Sequence, residues 1–244
     1  LIIVSTIGTA LITAYILSRI MNIERDIATL VGVGSSICGG SAIAAAAPVI
    51  KASDKDIAQS ISVIFLFNVV AAFLFPALGD MLGFTDTGFG MWAGTAINDT
   101  SSVVAAGQTW ASAHGSDTAL NYATIVKLTR TLAIIPICLG LAYITSKTKN
   151  TAADVKITSI FPMFILYFVM AAIFNTLAGE SLPVLAQLPS IGKFMIAMAM
   201  AAIGLNTNLV SLVKSGGKPI LLGLVCWIFI ALVSIGMQHV LGIW

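Results

Sequence analysis

Two similar polar stretches decide how this chain folds: Gly34-Ser35-Ser36-Ile37-Cys38-Gly39-Gly40-Ser41-Ala42-Ile43 and, later, Gly94-Thr95-Ala96-Ile97-Asn98-Asp99-Thr100-Ser101-Ser102-Val103. Both are too polar and too rich in glycine for an ordinary membrane helix, and each precedes a short Ser-Asp loop and a long apolar span. A broken helix leaves backbone N–H and C=O groups unpaired, which a membrane tolerates only where those groups line a cavity or bind something. A duplicated, interrupted segment in a hydrophobic chain is therefore typical of a transporter binding site.

The composition is that of a membrane protein. Of the 244 residues 58% are hydrophobic and 9% are charged, with a mean hydropathy of +1.02. Because a soluble domain carries roughly 25% charged residues, this chain cannot cover a surface that faces water. Runs of about 20 apolar residues are long enough to cross a membrane as helices. We find six of them: Leu1–Ser18, Ile57–Leu78, Ala119–Ile144, Ile157–Leu177, Phe194–Val213 and Pro219–Val240.

The predicted fold class is therefore an all-α, polytopic membrane protein: an inverted-repeat transporter with two discontinuous segments, either re-entrant or broken. The chain reads as a single transmembrane domain over residues 1–244. Cys38, Cys138 and Cys226 lie in apolar segments without metal-ligand spacing, so they are predicted to be small buried hydrophobes. We expect no metal and no cofactor other than a coupling ion. Leu1 opens within an apolar run, which predicts a missing N-terminal portion.

Positive charge is concentrated in alternate connections between the spans, and cytoplasmic loops are the ones enriched in Lys and Arg. The connections 79–90, 111–117 and 179–189 contain neither residue. The basic connections contain Arg19 and Arg25, then Lys51 and Lys55, then Lys147, Lys149 and Lys156, and finally Lys214 and Lys218.

This charge pattern fits best if Ile27–Ile50 is a hairpin that enters from the cytoplasm and Phe89–Trp110 is a hairpin that enters from outside. The internal repeats, residues 27–79 and 89–140, are then inverted about an axis in the membrane plane, as in alternating-access carriers. The alternative is that each copy is one crossing helix broken in the middle.

Three ionisable side chains are predicted to lie deep in the membrane. At ~1.5 Å per residue, Asp99, Lys127 and Arg130 come about 12–17 Å in from the outer face. Such placement costs about 2.5–3.5 kcal/mol on insertion scales and indicates a functional role. Lys127 and Arg130 share a helical face because they are three residues apart. If one cation neutralises Asp99, the other is free to meet an anion, and Arg130 would hold it through a planar two-pronged contact.

Helices that begin near Gly40-Ser41 and Thr100-Ser101 would direct backbone N–H groups and partial positive charge at the same place. These features favour an anionic substrate, with a coupling ion (H+ or Na+) near Asp99. The predicted binding residues are Ser36, Cys38, Gly39, Gly40, Ser41, Asn68, Asn98, Asp99, Thr100, Ser101, Lys127 and Arg130. The alternative is structural: Asp99 and the cations form a satisfied network, the small residues allow close helix packing, and Asn68 makes an interhelical hydrogen bond.

Four stretches resemble the YeiH-type family of proposed sulfate exporters: Gly34–Pro48, Trp92–Ala106, Tyr122–Arg130 and Ala202–Leu209. The resemblance spans essentially the whole chain. It implies a multi-pass protein of the bacterial inner membrane that corresponds to the C-terminal two thirds or more of a member, the other members having further N-terminal spans. It also implies kinship with cation/proton-antiporter and bile-acid-transporter-like carriers, whose broken helices cross the membrane. This last point favours the crossing alternative.

The predicted function is secondary transport, most simply export, of a small anion such as sulfate or a sulfonate, by alternating access around the two hairpin tips. The alternatives are a cation- or proton-coupled carrier of a small carboxylate, an anion channel, and a membrane enzyme using Ser41 or Ser101 with Lys127 as base. We predict no enzyme, because no His lies at depth and no His/Cys/carboxylate cluster appears in the sequence. The expected partners are the lipid bilayer and the anion, not nucleic acid; a homo-oligomer is left open.

Overall fold

The chain is all-helical in a computed structural model that describes residues 1–149 and 217–243, with scattered positions between them. The all-α prediction is confirmed for these residues. The predicted spans Ile157–Leu177 and Phe194–Val213, and the Ala202–Leu209 stretch, lie outside the described ranges. The helices are α1 (Ile2–Met21), α2 (Arg25–Ser36), α3 (Gly40–Ile50), α4 (Asp54–Leu82), α5 (Asp86–Ala96), α6 (Thr100–His114), α7 (Thr118–Thr131), α8 (Ile134–Lys149) and α9 (Gly217–Leu241).

Four helical stretches in the described ranges are long and apolar enough to cross a membrane. They are α1, α4, the α7–α8 stretch over Thr118–Thr145, and α9. They coincide with four of the six predicted apolar runs. The chain is therefore a multi-pass membrane protein, and its shorter helices α2, α3, α5 and α6 are the two interrupted stretches met in the sequence.

Side chains cap the N-termini of several helices. Ser53 accepts a hydrogen bond from the backbone N–H of Asp56 at the start of α4, and Thr85 accepts one from Gly88 at the start of α5. Such caps satisfy N–H groups that have no partner within the helix. They fix two of the turns that bound the interrupted segments.

Helix α9 packs against α1, α4 and α5. The Trp227 ring lies 5.6 Å from Phe67 of α4, between ring centroids, and Trp92 of α5 donates from Nε1 to the carbonyl of Ala231 at 3.2 Å. Thr95 also shares a hydrogen bond with Ser234, 2.7 Å between hydroxyl oxygens. These contacts hold the first half of the second interrupted segment in place.

The first interruption lies between α2 and α3. Helix α2 ends at Ser36 and α3 begins at Gly40, and Gly39 between them has φ 70° and ψ −129°, a conformation that L side chains rarely adopt. Arg25 near the start of α2 and Ile50 at the end of α3 line one small groove. The two ends of this segment therefore lie close together.

The second interruption lies between α5 and α6. A β-carbon added to Gly94 of α5 would lie 2.7 Å from the carbonyl oxygen of Ala123, so α5 runs in direct backbone contact with α7. At the far ends of the segment, the ring of Trp110 stacks on Phe89 at 4.1 Å between centroids, and its Nε1 donates to Asp86 at 2.8 Å. The beginning of α5 therefore lies beside the end of α6.

Candidate functional site

Helix α7 places two cations beneath both interruptions. Lys127 and Arg130 lie on one face of α7, as their spacing predicts, and both side chains are fully buried. Neither points to bulk solvent, so each must find partners within the protein.

Lys127 joins the two interruptions through its ammonium group. Its Nζ donates to the carbonyl of Ile37 at 2.7 Å and to the carbonyl of Ile97 at 2.8 Å. Ile37 and Ile97 are equivalent positions when the two similar stretches are aligned. One side chain therefore binds the same backbone group of each copy.

Arg130 makes a second connection of the same kind. Its Nε donates to the carbonyl of Ser36 and its Nη2 to that of Ser35, both at 2.8 Å, while Nη1 donates to the carbonyl of Thr95. Ser35 and Thr95 are also equivalent positions. The planar guanidinium can reach three carbonyls at once because its donors are arranged as a fork.

The carbonyls that these cations bind are those at the C-terminal ends of α2 and α5. The last carbonyls of a helix have no intrahelical partner and carry a partial negative charge of about half a unit. We call this set the cation layer: Lys127 and Arg130 with the carbonyls of Ser35, Ser36, Ile37, Thr95 and Ile97. It satisfies, inside the membrane, backbone groups that the interruptions would otherwise leave unpaired.

Asp99 belongs to a different set of contacts. Its carboxylate accepts hydrogen bonds from the backbone N–H of Ser101, at 3.0 Å, and from the Ser101 hydroxyl, so it caps the N-terminus of α6. In the part of the chain that the structure describes, no ion pair joins Asp99 to Lys127 or Arg130. Asp99 thus stabilises the N-terminus of α6, whereas the two cations stabilise the C-termini of α2 and α5.

Asn68 of α4 reaches the same place. Its Oδ1 accepts from the backbone N–H of Asp99 at 3.2 Å, and its buried Nδ2 has no hydrogen-bond partner among the described residues. A β-carbon added to Gly39 would lie 3.5 Å from Asn68 Nδ2 and 3.5 Å from the β-carbon of Asp99. The cap residues of α3 and α6 are therefore neighbours, with a free amide donor between them.

Among the described residues, no side chain caps the N-terminus of α3. Gly40 is half-buried and Ser41 is exposed; the Ser41 hydroxyl lies 3.0 Å from the carbonyl oxygen and 2.9 Å from the sulfur of Cys38. Asp99, Thr100 and Ser101 at the start of α6 are likewise half-buried. We call this accessible set the N-terminal layer: the first turns of α3 and α6 together with Asn68 and Asp99.

The predicted site residues thus separate into two layers. Ser36, Lys127 and Arg130 belong to the buried cation layer, and Gly39, Gly40, Ser41, Asn68, Asp99, Thr100 and Ser101 to the N-terminal layer. Cys38 is buried between them, and Asn98 is buried with its Oδ1 unpartnered among the described residues.

The residues that sequence reasoning missed are the acceptors of the cation layer, Ser35, Ile37, Thr95 and Ile97. They act through backbone carbonyls, so their side chains gave no indication. The interruption itself was the available signal. A helix that begins at Gly40 implies that another helix ends shortly before it, and the last carbonyls of that helix lack intrahelical partners.

One cavity in the described ranges lies away from these residues. It has a volume of about 860 Å³ between α1, α2 and α8, and its lining is mostly apolar. None of the predicted site residues borders it. The site at the interruptions is defined by convergent polar groups rather than by this cavity.

Fold and site together define a multi-pass α-helical membrane protein in which two interrupted segments are joined through buried cations. The chain belongs to the family described as conserved hypothetical protein 698, whose profile matches residues 1–223. This confirms the YeiH-type resemblance.

Its relatives are bacterial and are named as membrane proteins. A UPF0324 membrane protein of Streptococcus mutans is 58% identical over 251 residues, covering 100% of this chain and 73% of the relative. One of Fusobacterium nucleatum is 54% identical, covering 99% and 74%, and one of Streptococcus agalactiae is 53% identical, covering 100% and 73%. No solved structure was found to match. The chain is thus a multi-pass bacterial membrane protein.

Proposed function

We propose that this protein is a secondary transporter, and most simply an exporter, of a small anion such as sulfate or a sulfonate. The observation that carries the proposal is the surplus of positive charge where the two interruptions meet. The substrate would bind in the N-terminal layer, and a coupling ion, H+ or Na+, would act near Asp99.

The surplus follows from the contacts. Lys127 and Arg130 supply two charges, whereas the C-termini of α2 and α5 that they bind supply about one between them. The N-termini of α3 and α6 add about one positive unit, which Asp99 offsets. Counting the described residues, about one positive charge therefore remains uncompensated, which favours an anion as ligand.

The N-terminal layer also offers the donors that an oxyanion needs. The first N–H groups of a helix have no intrahelical acceptor, and anions bind readily to them. In the part of the chain that the structure describes, no side chain caps those of α3. The Nδ2 of Asn68, which has no partner among the described residues, lies near Gly39 and is a further donor to a bound oxygen.

We propose that both interrupted segments are re-entrant hairpins. Contacts at their far ends support this: Arg25 and Ile50 share a groove, and Trp110 contacts both Asp86 and Phe89. A helix that crosses the membrane would separate these ends by the thickness of the bilayer, roughly 30 Å. Two opposed hairpins meeting at a midplane site suit alternating access, in which one bundle rocks against another.

The test of function is counterflow. Proteoliposomes loaded with unlabelled sulfate should take up radiolabelled sulfate transiently and saturably, and a sulfonate should compete. Preferential exchange of small carboxylates would favour the carboxylate carrier instead. Ohmic single-channel currents with no exchange would identify a channel and refute the proposal.

The hairpin topology predicts that the connection after α1 and the connection after α3 face the cytoplasm. Cysteines introduced at Asn22 and Ser53, both exposed, should resist an impermeant maleimide in intact cells and react after permeabilisation. Ala113→Cys, exposed near the end of α6, is the control and should label from outside. If only one of the two positions, Asn22 or Ser53, labels in intact cells, α2–α3 crosses the membrane.

The reactivity of Cys38 tests whether the first interruption lies at the binding site. All three cysteines are free and buried, but only Cys38 lies at an interruption. A small thiol reagent should therefore inhibit transport through Cys38 when the site opens, and sulfate should slow that reaction. Cys38→Ser should abolish the inhibition, whereas Cys138→Ser and Cys226→Ser should not. Unchanged sensitivity of Cys38→Ser would show that this interruption is not at the binding site.

A further inference from the structure

We infer that the bound anion and the negative charge of Asp99 exclude one another, so that anion binding is linked to protonation of Asp99 and the carrier moves its anion together with a proton. This inference rests on the proposed function and narrows the coupling ion to H+. It also identifies the group on which the proton travels.

Asp99 already occupies the place of an anionic ligand. Its carboxylate accepts from the first turn of α6 through the N–H and the hydroxyl of Ser101. These are the kinds of donor that a helix N-terminus offers to an oxyanion. While Asp99 is ionised, α6 is therefore capped by the protein's own carboxylate.

The neighbouring anion subsite lies too close for two negative charges to coexist without penalty. A β-carbon added to Gly39, the cap residue of α3, would lie only 3.5 Å from the Asp99 β-carbon. Asn68 bonds the backbone of Asp99 through Oδ1 and offers its unpartnered, buried Nδ2 beside Gly39. An oxyanion that accepts from Asn68 and from the first turn of α3 would therefore be a direct neighbour of the carboxylate, and two negative charges so close together repel one another.

Protonation of Asp99 removes that repulsion. A proton taken up on the carboxylate leaves a neutral acid that can donate its O–H to the anion, and it frees the α6 N-terminus for the substrate. By linkage, an anion that favours the protonated form must raise proton uptake by the same factor that protons raise anion affinity.

Among the described residues, the other charged or titratable groups near Asp99 lie on α7 and in the turn before α3. Lys127 and Arg130 project from α7 and donate to backbone carbonyls, and Cys38 lies in the turn before α3. From α4, the neighbour is the neutral amide of Asn68. Of these groups, Lys127 and Cys38 are the rival carriers of a linked proton, so the test must separate them from Asp99.

The experiment is titration calorimetry of the full-length protein in lipid nanodiscs, with sulfate as probe. Bis-Tris and imidazole serve as buffers because they are not oxyanions and differ in ionisation enthalpy. The wild type should take up about one proton per sulfate bound, and its affinity should fall about tenfold for each pH unit above the midpoint. Sulfonate probes should behave likewise.

Asp99→Asn is the decisive variant, since the amide mimics the neutral acid. It should retain sulfate binding, bind with little pH dependence and take up no proton. Asp86→Asn is the matched control: it makes the same change at the outer end of α5, where the carboxylate accepts from Trp110, and it should keep wild-type proton uptake. Ser101→Ala removes a donor to the ionised carboxylate and should extend sulfate binding to higher pH. Monodisperse elution and a cooperative melt show that each variant is folded.

The failures are distinguishable. Proton uptake that persists in Asp99→Asn would assign the proton to another group, and loss of sulfate binding in the folded variant would show that the charge of Asp99 assists binding. Either result overturns the inference, as does wild-type binding without proton uptake, while all three leave the anion site standing. If the wild type binds neither sulfate nor sulfonates at any pH, the proposed function fails with it.

Discussion

Arg130→Ala should be the most damaging single substitution in the described part of the chain. It removes donors from three buried carbonyls, those of Ser35, Ser36 and Thr95. Each buried polar group left unpaired costs about 1–3 kcal/mol, so the loss should reach several kcal/mol. We expect a large fall in the yield of monodisperse protein and in its melting temperature in detergent.

Two further variants make this prediction specific to the guanidinium. Arg130→Lys keeps the charge but loses the forked arrangement of donors, so its melting temperature should lie between those of Arg130→Ala and the wild type. Thr129→Ala, on the exposed side of α7, is the control and should melt close to the wild type. A wild-type melting temperature for Arg130→Ala would show that the cation layer does not hold the two segments together.

The structure also predicts the outcome of pairing this change with one at Asp99. Because Arg130 and Asp99 make no ion pair, Asp99→Asn should not restore the stability lost in Arg130→Gln, and the two effects should add. The melting temperatures of the two single variants and the double variant measure this. Rescue in the double variant would show that the two groups do meet, contrary to the contacts described above.

Lys127→Met should have the largest effect on binding. It removes the charge that gives the site its positive surplus and leaves the carbonyls of Ile37 and Ile97 without a donor. Among molecules that remain folded, we expect sulfate affinity to fall at least about tenfold, equivalent to about 1.4 kcal/mol. Calorimetry on the monodisperse fraction measures this.

Lys55→Met is the control for net charge, since it removes one positive charge from the exposed first turn of α4. It should leave sulfate affinity unchanged. If Lys127→Met folds and binds sulfate as tightly as the wild type, Lys127 serves only to join the segments, and the positive surplus does not attract the substrate.

The membrane-spanning part of the fold could be read from the sequence because its signal is local. Apolar runs such as Ile57–Leu78 and Pro219–Val240 lie within helices long enough to cross a membrane, α4 and α9. The interruption at Gly39 could be located for a similar reason: few residues other than glycine adopt its backbone conformation.

The partners of the cations could not be read in the same way. The sequence shows Asp99, Lys127 and Arg130 at similar depth, which suggests an ion pair, but backbone carbonyls are present at every residue and leave no pattern. Which carbonyls lack a partner depends on where each helix ends and how α5 lies along α7. That packing is set by close contacts at Gly90 and Gly94, which the sequence presents only as two more small residues.

The topology of the two segments stays a prediction. The charge pattern of the loops favours hairpins, and the resemblance to carriers with crossing helices favours the alternative. Contacts such as Trp110 with Asp86 and Phe89 support the hairpin, and the labelling of Asn22 and Ser53 variants decides between them.

A small anion should bind where the N-termini of α3 and α6 meet. Selenate is close to sulfate in shape and charge, and selenium scatters anomalously. Crystals of the full-length protein grown with selenate should show an anomalous peak within hydrogen-bond distance of Asn68 Nδ2 and of the first N–H groups of α3. A peak at another place, or none at a selenate concentration that blocks sulfate counterflow, would contradict the account.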